Sequence, residues 1–161
     1  DQHRTVVDLL PRDDRQQLHI VGRLDFNTSG LLLLTNDGRW SRALTSPEQK
    51  IPKWYHVTLE DPITDDYAKA FAEGIYFAYE NLTTLPAELN IISPHVAQLC
   101  LFEGRYHQVK RMFGHFDNKV LSLHRLSIGG LSLDSALKPG QSRDISRAEL
   151  EQLACPFSWH C

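Results

Sequence analysis

Gly22-Arg23-Leu24-Asp25-Phe26-Asn27-Thr28-Ser29-Gly30 runs directly into Leu31-Leu32-Leu33-Leu34-Thr35-Asn36-Asp37-Gly38. A charged pair inside a turn-rich segment is followed by an unbroken leucine run. Four apolar residues bounded by turn signals read as a strand buried on both faces. Asp25 is then presented at the edge of a core, where its charge is partly desolvated and its position is held. A carboxylate in that setting can serve as a nucleophile or a base. The plainer alternative is an ion pair with Arg23 inside the turn, or an Asp that bonds its own backbone.

Working outward, Leu18-His19-Ile20-Val21 alternates and predicts a short strand leading into this loop. Upstream, Val6-Val7-Asp8-Leu9-Leu10 before Pro11 suits a short helical turn. Downstream, Asp37-Gly38 marks a turn, and Trp40, Ala43 and Leu44 at i, i+3, i+4 predict a short helix stopped before Pro47. Trp54-Tyr55-His56-Val57-Thr58-Leu59 is rich in aromatic and β-branched residues and predicts a strand. Thr64 is placed to cap a helix with Asp65 and Asp66 in its first turn and Gly74 at its end. Its apolar stripe is Ala68, Phe71, Ala72 and Ile75. Segments 85–92 and 96–102 predict two strands joined through Ser93-Pro94-His95.

Residues 106–116 predict a helix with two faces, an apolar one of Tyr106, Val109, Phe113 and Phe116 and a basic one of His107, Lys110 and Arg111. A strand over 119–128 ends at Gly129-Gly130, and a further short strand precedes Ser146. Ser146 and Glu149 have the spacing of a capping box for a last helix through about Ala154. No repeat, low-complexity tract or long linker divides the chain, which reads as one α+β domain.

Composition narrows the function. The 161 residues are 42 % apolar and 23 % charged, ordinary for a soluble domain with a real core. No run approaches the ~18 apolar residues of a membrane span, and no signal peptide opens the chain. Cys100, Cys155 and Cys161 are odd in number and widely spaced, which implies no disulfide framework and suits a reducing, cytoplasmic setting. The tail from Cys155 to Cys161 offers too few ligands for a metal site. There is no Gly-rich phosphate loop, no zinc motif and no nucleophile elbow.

A net charge of −3 argues against a phosphate-binding partner, but the positive charge is concentrated. Arg105, Lys110, Arg111, Lys119 and Arg125 stand against Asp117 alone, with His107, His115 and His124 in the same stretch. That pattern reads either as a binder of nucleic-acid backbone, with Tyr106 and Phe113 as stacking surfaces, or as a solvated basic helix face.

Two segments together carry a resemblance. Gly22-Arg23-Leu24-Asp25 with Thr28-Ser29-Gly30-Leu31, and Glu103-Gly104-Arg105-Tyr106-His107-Gln108-Val109-Lys110-Arg111-Met112, are similar to two signatures of the RsuA family of ribosomal RNA pseudouridine synthases. Lys53-Trp54-Tyr55-His56-Val57 resembles the family's third element, a Tyr on a strand after the catalytic loop. The wording of the second signature is closer to enzymes acting on small-subunit (16S) RNA than to large-subunit relatives. Family members usually begin with an S4-type RNA-binding domain and a Lys-Pro-x-Gly strand. Neither is present, so the resemblance implies an N-terminally truncated catalytic domain over 1–161, with 155–161 as a tail.

The resemblance implies a mixed, mostly antiparallel sheet with flanking helices, and an isomerase needing no metal or cofactor. It assigns Asp25 as nucleophile, Lys110 as its basic partner across the cleft, and Tyr55 as the ring against the uracil. Arg23 is expected to fill the space left by the extruded base, and Arg105, His107 and Arg111 to grip the RNA backbone. The implied partner is small-subunit ribosomal RNA, free or in an assembling ribonucleoprotein, bound by a monomer. Its rivals are a large-subunit synthase of the same family and an inactive RNA-binding fragment.

Overall fold

The strands that frame the opening loop are short. In the computed structural model, which describes residues 6–11 and 17–153, Val6–Leu9 forms one 3-10 turn. Then come β1 (His19–Val21), β2 (Ser29–Gly30) and β3 (Leu33–Thr35). β1 pairs antiparallel with β3, closing the loop that carries Asp25 between them. The leucine run is therefore not one strand buried on both faces. Leu31 and Leu33 are buried while Leu32 and Leu34 are half-buried, because a two-stranded ribbon has one face to hide. α1 (Gly38–Thr45) starts at Asp37, whose side chain accepts from the Arg39 amide as an N-cap does.

The main sheet forms around β4 (Lys53–Leu59), whose aromatic and β-branched side chains favour extended backbone. α2 (Asp65–Glu73) follows, ending at Gly74 with φ +99°. Thr64 occupies the N-cap position, but its hydroxyl donates to Asp66 rather than accepting from the backbone. Tyr67 and Phe71 are the buried residues of α2 and Ala72 is exposed, so the inward stripe is shifted from the predicted one. β5 (Tyr76–Phe77) and β6 (Leu82–Thr83) make a small hairpin that no sequence signal marked. β7 (Glu88–Ser93) and β8 (Val96–Leu101) are the expected pair of strands.

α3 (Gln108–Gly114) is shorter than predicted, because His107 adopts left-handed backbone at φ +48° and stops the helix from reaching Tyr106. β9 (Val120–Ile128), β10 (Leu131–Ser132) and α4 (Arg147–Gln152) complete the described chain. Both hydrogen bonds of the Ser146–Glu149 capping box are formed. The tail from 155 lies outside the described residues.

The sheet runs β10-β9-β4-β8-β7, antiparallel throughout, with β2 added to β9 in parallel. One apolar core lies between this sheet and helices α2 and α3, with Val57, Phe71, Ala97, Leu99, Met112 and Phe113 fully buried. Tyr67 stacks on Phe116 with ring centroids 3.9 Å apart, and Phe71 meets Phe113 edge-on at 5.0 Å. Each such side chain contributes roughly 1.5–3 kcal/mol by leaving water. A second core, of Val21, Leu31, Leu33, Leu44, Ile51, Ile128, Leu131 and Leu153, lies beneath the β1–β3 ribbon. No helix among the described residues is long and apolar enough to cross a membrane.

Candidate active site

The loop is held at both ends by one side chain. Arg125, inward-pointing on β9 and fully buried, donates from Nε to the Leu31 carbonyl at 2.8 Å and from an Nη to the Gly22 carbonyl at 2.8 Å. Its own carbonyl accepts from the Leu31 amide at 2.8 Å. Gly30, at φ +117°, is required here, since a Cβ would lie 2.2 Å from the Arg125 carbonyl oxygen. Within the loop the Thr28 amide donates to the Asp25 carbonyl at 2.9 Å, closing a turn just after Asp25.

That carboxylate faces a cleft of about 650 Å³ between the loop, the sheet and the start of α3. Arg23, Asp25, Tyr55, Arg105, His107 and Lys110 all line it. Tyr55 reaches it from β4, buried opposite Arg125 in register. Lys110 reaches it from the first turn of α3. The group in contact with Asp25, however, is His107, with Nε2 at 3.6 Å from Oδ1. Both side chains are about one-third exposed (37 % and 34 %), so water reaches the pair. The left-handed backbone at His107 is what aims the imidazole at the carboxylate instead of along the basic helix face.

A buried carboxylate shapes this turn. Glu103 is almost fully buried and accepts from Arg105 Nε at 2.8 Å, from Gln108 Nε2 at 3.0 Å and from the Leu85 amide at 2.7 Å. Gln108 in turn accepts from the Arg105 amide at 3.0 Å. Three donors offset the desolvation of the Glu103 charge and hold residues 103–108 in one shape.

The basic stretch is largely spent inside the protein. Arg105 pairs with Glu103. Arg111 is bidentate to Glu80 of the β5–β6 turn, with both contacts at 2.6 Å, and lies over the Phe77 ring at 3.8 Å. The pair holds the Glu80 carboxyl below the usual carboxylate range. With Arg125 buried, Lys110 and Lys119 remain of the five cations counted along the stretch. Phe113 is wholly buried, so it offers no stacking surface, whereas Tyr106, predicted to face the core, is 75 % exposed.

Sequence reasoning missed Lys53 and did not single out Arg125. Lys53 stands two residues before Tyr55 on an alternating strand, which is the signal that places it on the same face. It lines the cleft, almost fully buried, and donates from Nζ to the Ile51 carbonyl at 3.2 Å. Burial first, and then the charge of Arg125, push its ammonium down to about 8.

These features have counterparts in known proteins. Residues 1–115 match the family model described as RNA pseudouridylate synthase. The chain is 58 % identical over 149 residues to the ribosomal small subunit pseudouridine synthase A of Pseudomonas aeruginosa, covering 92 % of this chain and 65 % of that protein. It is 47 % identical over 148 residues to the protein of the same name from Escherichia coli, covering 92 % and 64 %. A crystal structure of a pseudouridylate synthase superposes with a TM-score of 0.91 at 44 % identity, covering 95 % of this chain and 66 % of that one. The chain thus spans just under two thirds of the length of these relatives. With the fold matched at that level and the family model covering the Asp25 loop, β4 and α3, the chain belongs to the RNA pseudouridylate synthase family.

Proposed function

We propose that the chain converts a uridine of small-subunit ribosomal RNA to pseudouridine, with Asp25 as the nucleophile. The observation that carries this reading is the convergence of Asp25, Tyr55 and Lys110 on one cleft from a loop, a strand and a helix far apart in sequence. The small-subunit substrate is supported by the names of the relatives at 58 % and 47 % identity.

The reaction breaks the C1′–N1 bond of uridine, turns the uracil and rejoins it through C5, which gives up its proton. Substrate and product are isomers, so the chemistry calls for no external oxidant, reductant or group donor. The ionised Asp25 carboxylate supplies the electron pair that the reaction needs. Lys110 lines the same cleft, and His107 Nε2 lies 3.6 Å from the carboxylate. Tyr55 lies against the uracil and helps move the C5 proton.

The uridine enters extruded from its stack, at a cost of a few kcal/mol. Arg23, exposed at the mouth of the cleft, fills the vacated space, since its flat guanidinium stacks on bases while its charge meets phosphate. Arg105 keeps part of its guanidinium free for the backbone. His107 and Arg111 serve the site differently from the backbone grip expected of them, the first on Asp25 and the second as a brace. The enzyme acts as a monomer in the cytoplasm, on small-subunit RNA or its assembling ribonucleoprotein.

The test is to incubate the chain with separated small- and large-subunit RNAs and map new pseudouridines. Modification confined to small-subunit RNA is expected. Modification of large-subunit RNA alone would overturn the substrate, and binding by a folded chain without modification would overturn catalysis.

A further inference from the structure

Two of the exposed aromatic side chains among the described residues line the cleft. Phe26, the residue after Asp25, is 80 % exposed and lines one side of the cleft. Tyr106, on the facing side, is 75 % exposed and also lines it. Its ring lies on the His107 imidazole, with centroids 3.9 Å apart and planes 20° apart. His107 is thus held between the Asp25 carboxylate at its Nε2 and the Tyr106 ring on its face. One face of Tyr106 is taken by the imidazole, and the residue is still 75 % exposed.

A third exposed ring stands on the hairpin that is braced to the Tyr106 turn. Tyr79, at the tip of the β5–β6 turn, is 97 % exposed. Its neighbour Glu80 accepts from Arg111, and the same guanidinium Nη1 donates to the Tyr106 carbonyl at 3.1 Å. One cation therefore ties the hairpin tip to the turn carrying Tyr106, so the two rings share a brace. Tyr76, also exposed, is held differently, with its hydroxyl donating to Asn81 at 2.6 Å.

Large rings as exposed as Phe26 and Tyr106 at the mouth of a cleft suit a partner that presents flat faces of its own. The bases of a duplex hide those faces against each other, and an unpaired RNA segment offers them. The cations beside the rings, Arg23 and Lys110, suit the phosphates of the same segment. Resting on the reading of the cleft as the uridine site, we propose that Phe26 and Tyr106 are stacking platforms for the unpaired nucleotides on the two sides of the extruded uridine. The platforms favour a uridine in a loop over one in a helix, because the neighbouring bases must also be free to stack.

The test uses a small-subunit RNA stem–loop with 5-iodouridine placed in turn on either side of the target uridine. After irradiation with the chain, cross-linked peptides are mapped by mass spectrometry. Cross-links at Phe26 for one placement and at Tyr106 for the other are expected. Tyr106→Ala should raise the Kd for this RNA roughly tenfold, and Tyr106→Phe should restore it, since base–aromatic stacking is tolerant of the hydroxyl. Ile92→Ala, an exposed apolar residue on β7, is the control and should bind as the wild type does. Cross-links away from both rings, with Kd unchanged in Tyr106→Ala and Phe26→Ala, would overturn the proposal, whatever the activity. Cross-links and Kd shifts as expected, in a chain that forms no pseudouridine, would uphold the platforms and overturn the catalytic reading instead. A surface that captured a ribosomal protein but not the RNA would also overturn it.

Discussion

At the scale of the residue, Asp25 owes its setting to two backbone conformations that side chains rarely adopt. Gly30 at φ +117° lets the loop lie against Arg125, and His107 at φ +48° turns an imidazole toward the carboxylate. A left-handed residue other than glycine costs on the order of 1 kcal/mol, and Glu103 and Gln108 hold the turn that bears this one. Among the described residues Arg23 makes no ion pair with Asp25, and it lies exposed at the cleft mouth. Replacing Asp25 by Asn keeps the size and removes the nucleophile, so turnover should fall at least ~1000-fold. Stability should move by less than about 1 kcal/mol, because a contact between side chains one-third exposed to water contributes little. A single-turnover assay beside a urea melt checks both, and residual activity above a few per cent would remove Asp25 from the role.

At the scale of the element, the sheet reaches the loop through β9. Arg125 is a positioning residue, since it joins both ends of the Asp25 loop to a strand whose place is set by β4. Among the described residues it has no carboxylate partner, so its charge is offset by the two carbonyls it holds. Arg125→Met would fill the space but leave the Gly22 and Leu31 carbonyls without their donor. The expected loss is about 2–4 kcal/mol of stability, given ~1–3 kcal/mol for each buried group left unpaired. Activity at saturating RNA should also drop in Arg125→Lys, which keeps the charge but cannot span both carbonyls. A Lys variant with full kcat would show that the loop holds its shape without the clamp. The hairpin of β5 and β6 is tied down in the same manner by Arg111, across an element boundary that no local pattern foreshadows.

At the scale of the whole molecule, the floor of the cleft carries two buried cations, Lys53 and Arg125, in a chain whose net charge is negative. The ammonium of Lys53 is lowered to about 8 from a usual 10.5, so the unfolded chain binds this proton more tightly than the folded one. Below about 8 the charge is present in both states, and the folded state bears the full cost of burying it, on the order of 3 kcal/mol. As pH rises from about 8 toward 10.5 that cost is relieved, so this group makes stability climb with pH in that window. Lys53→Met should raise stability near neutral pH and abolish the climb. Urea melts of both proteins from pH 7 to 10.5 test this, and parallel curves would overturn the buried-charge account.

How much of this was legible in the chain follows from the range of the forces involved. The central strand, the long helix after it, the β7–β8 pair and the final capping box were readable because periodicity, turn residues and caps act over a few residues. So was the grouping of Asp25, Tyr55 and Lys110, through the resemblance of short motifs rather than through any spacing. The α3 face was misread because a single left-handed residue at His107 cuts the helix short, exposing Tyr106 and separating the three basic side chains. The apparent basic patch was misread because charge counts cannot tell which cation finds a buried partner. Glu103 lies beside Arg105 in sequence, but Glu80 reaches Arg111 only through the fold. The sequence by itself thus determined most of the elements and pointed to the residues that meet in the cleft. The contact His107 makes with Asp25, the clamp on the Asp25 loop and the rings left facing outward were decided by the tertiary structure, since each depends on contacts between segments that have no local reason to meet.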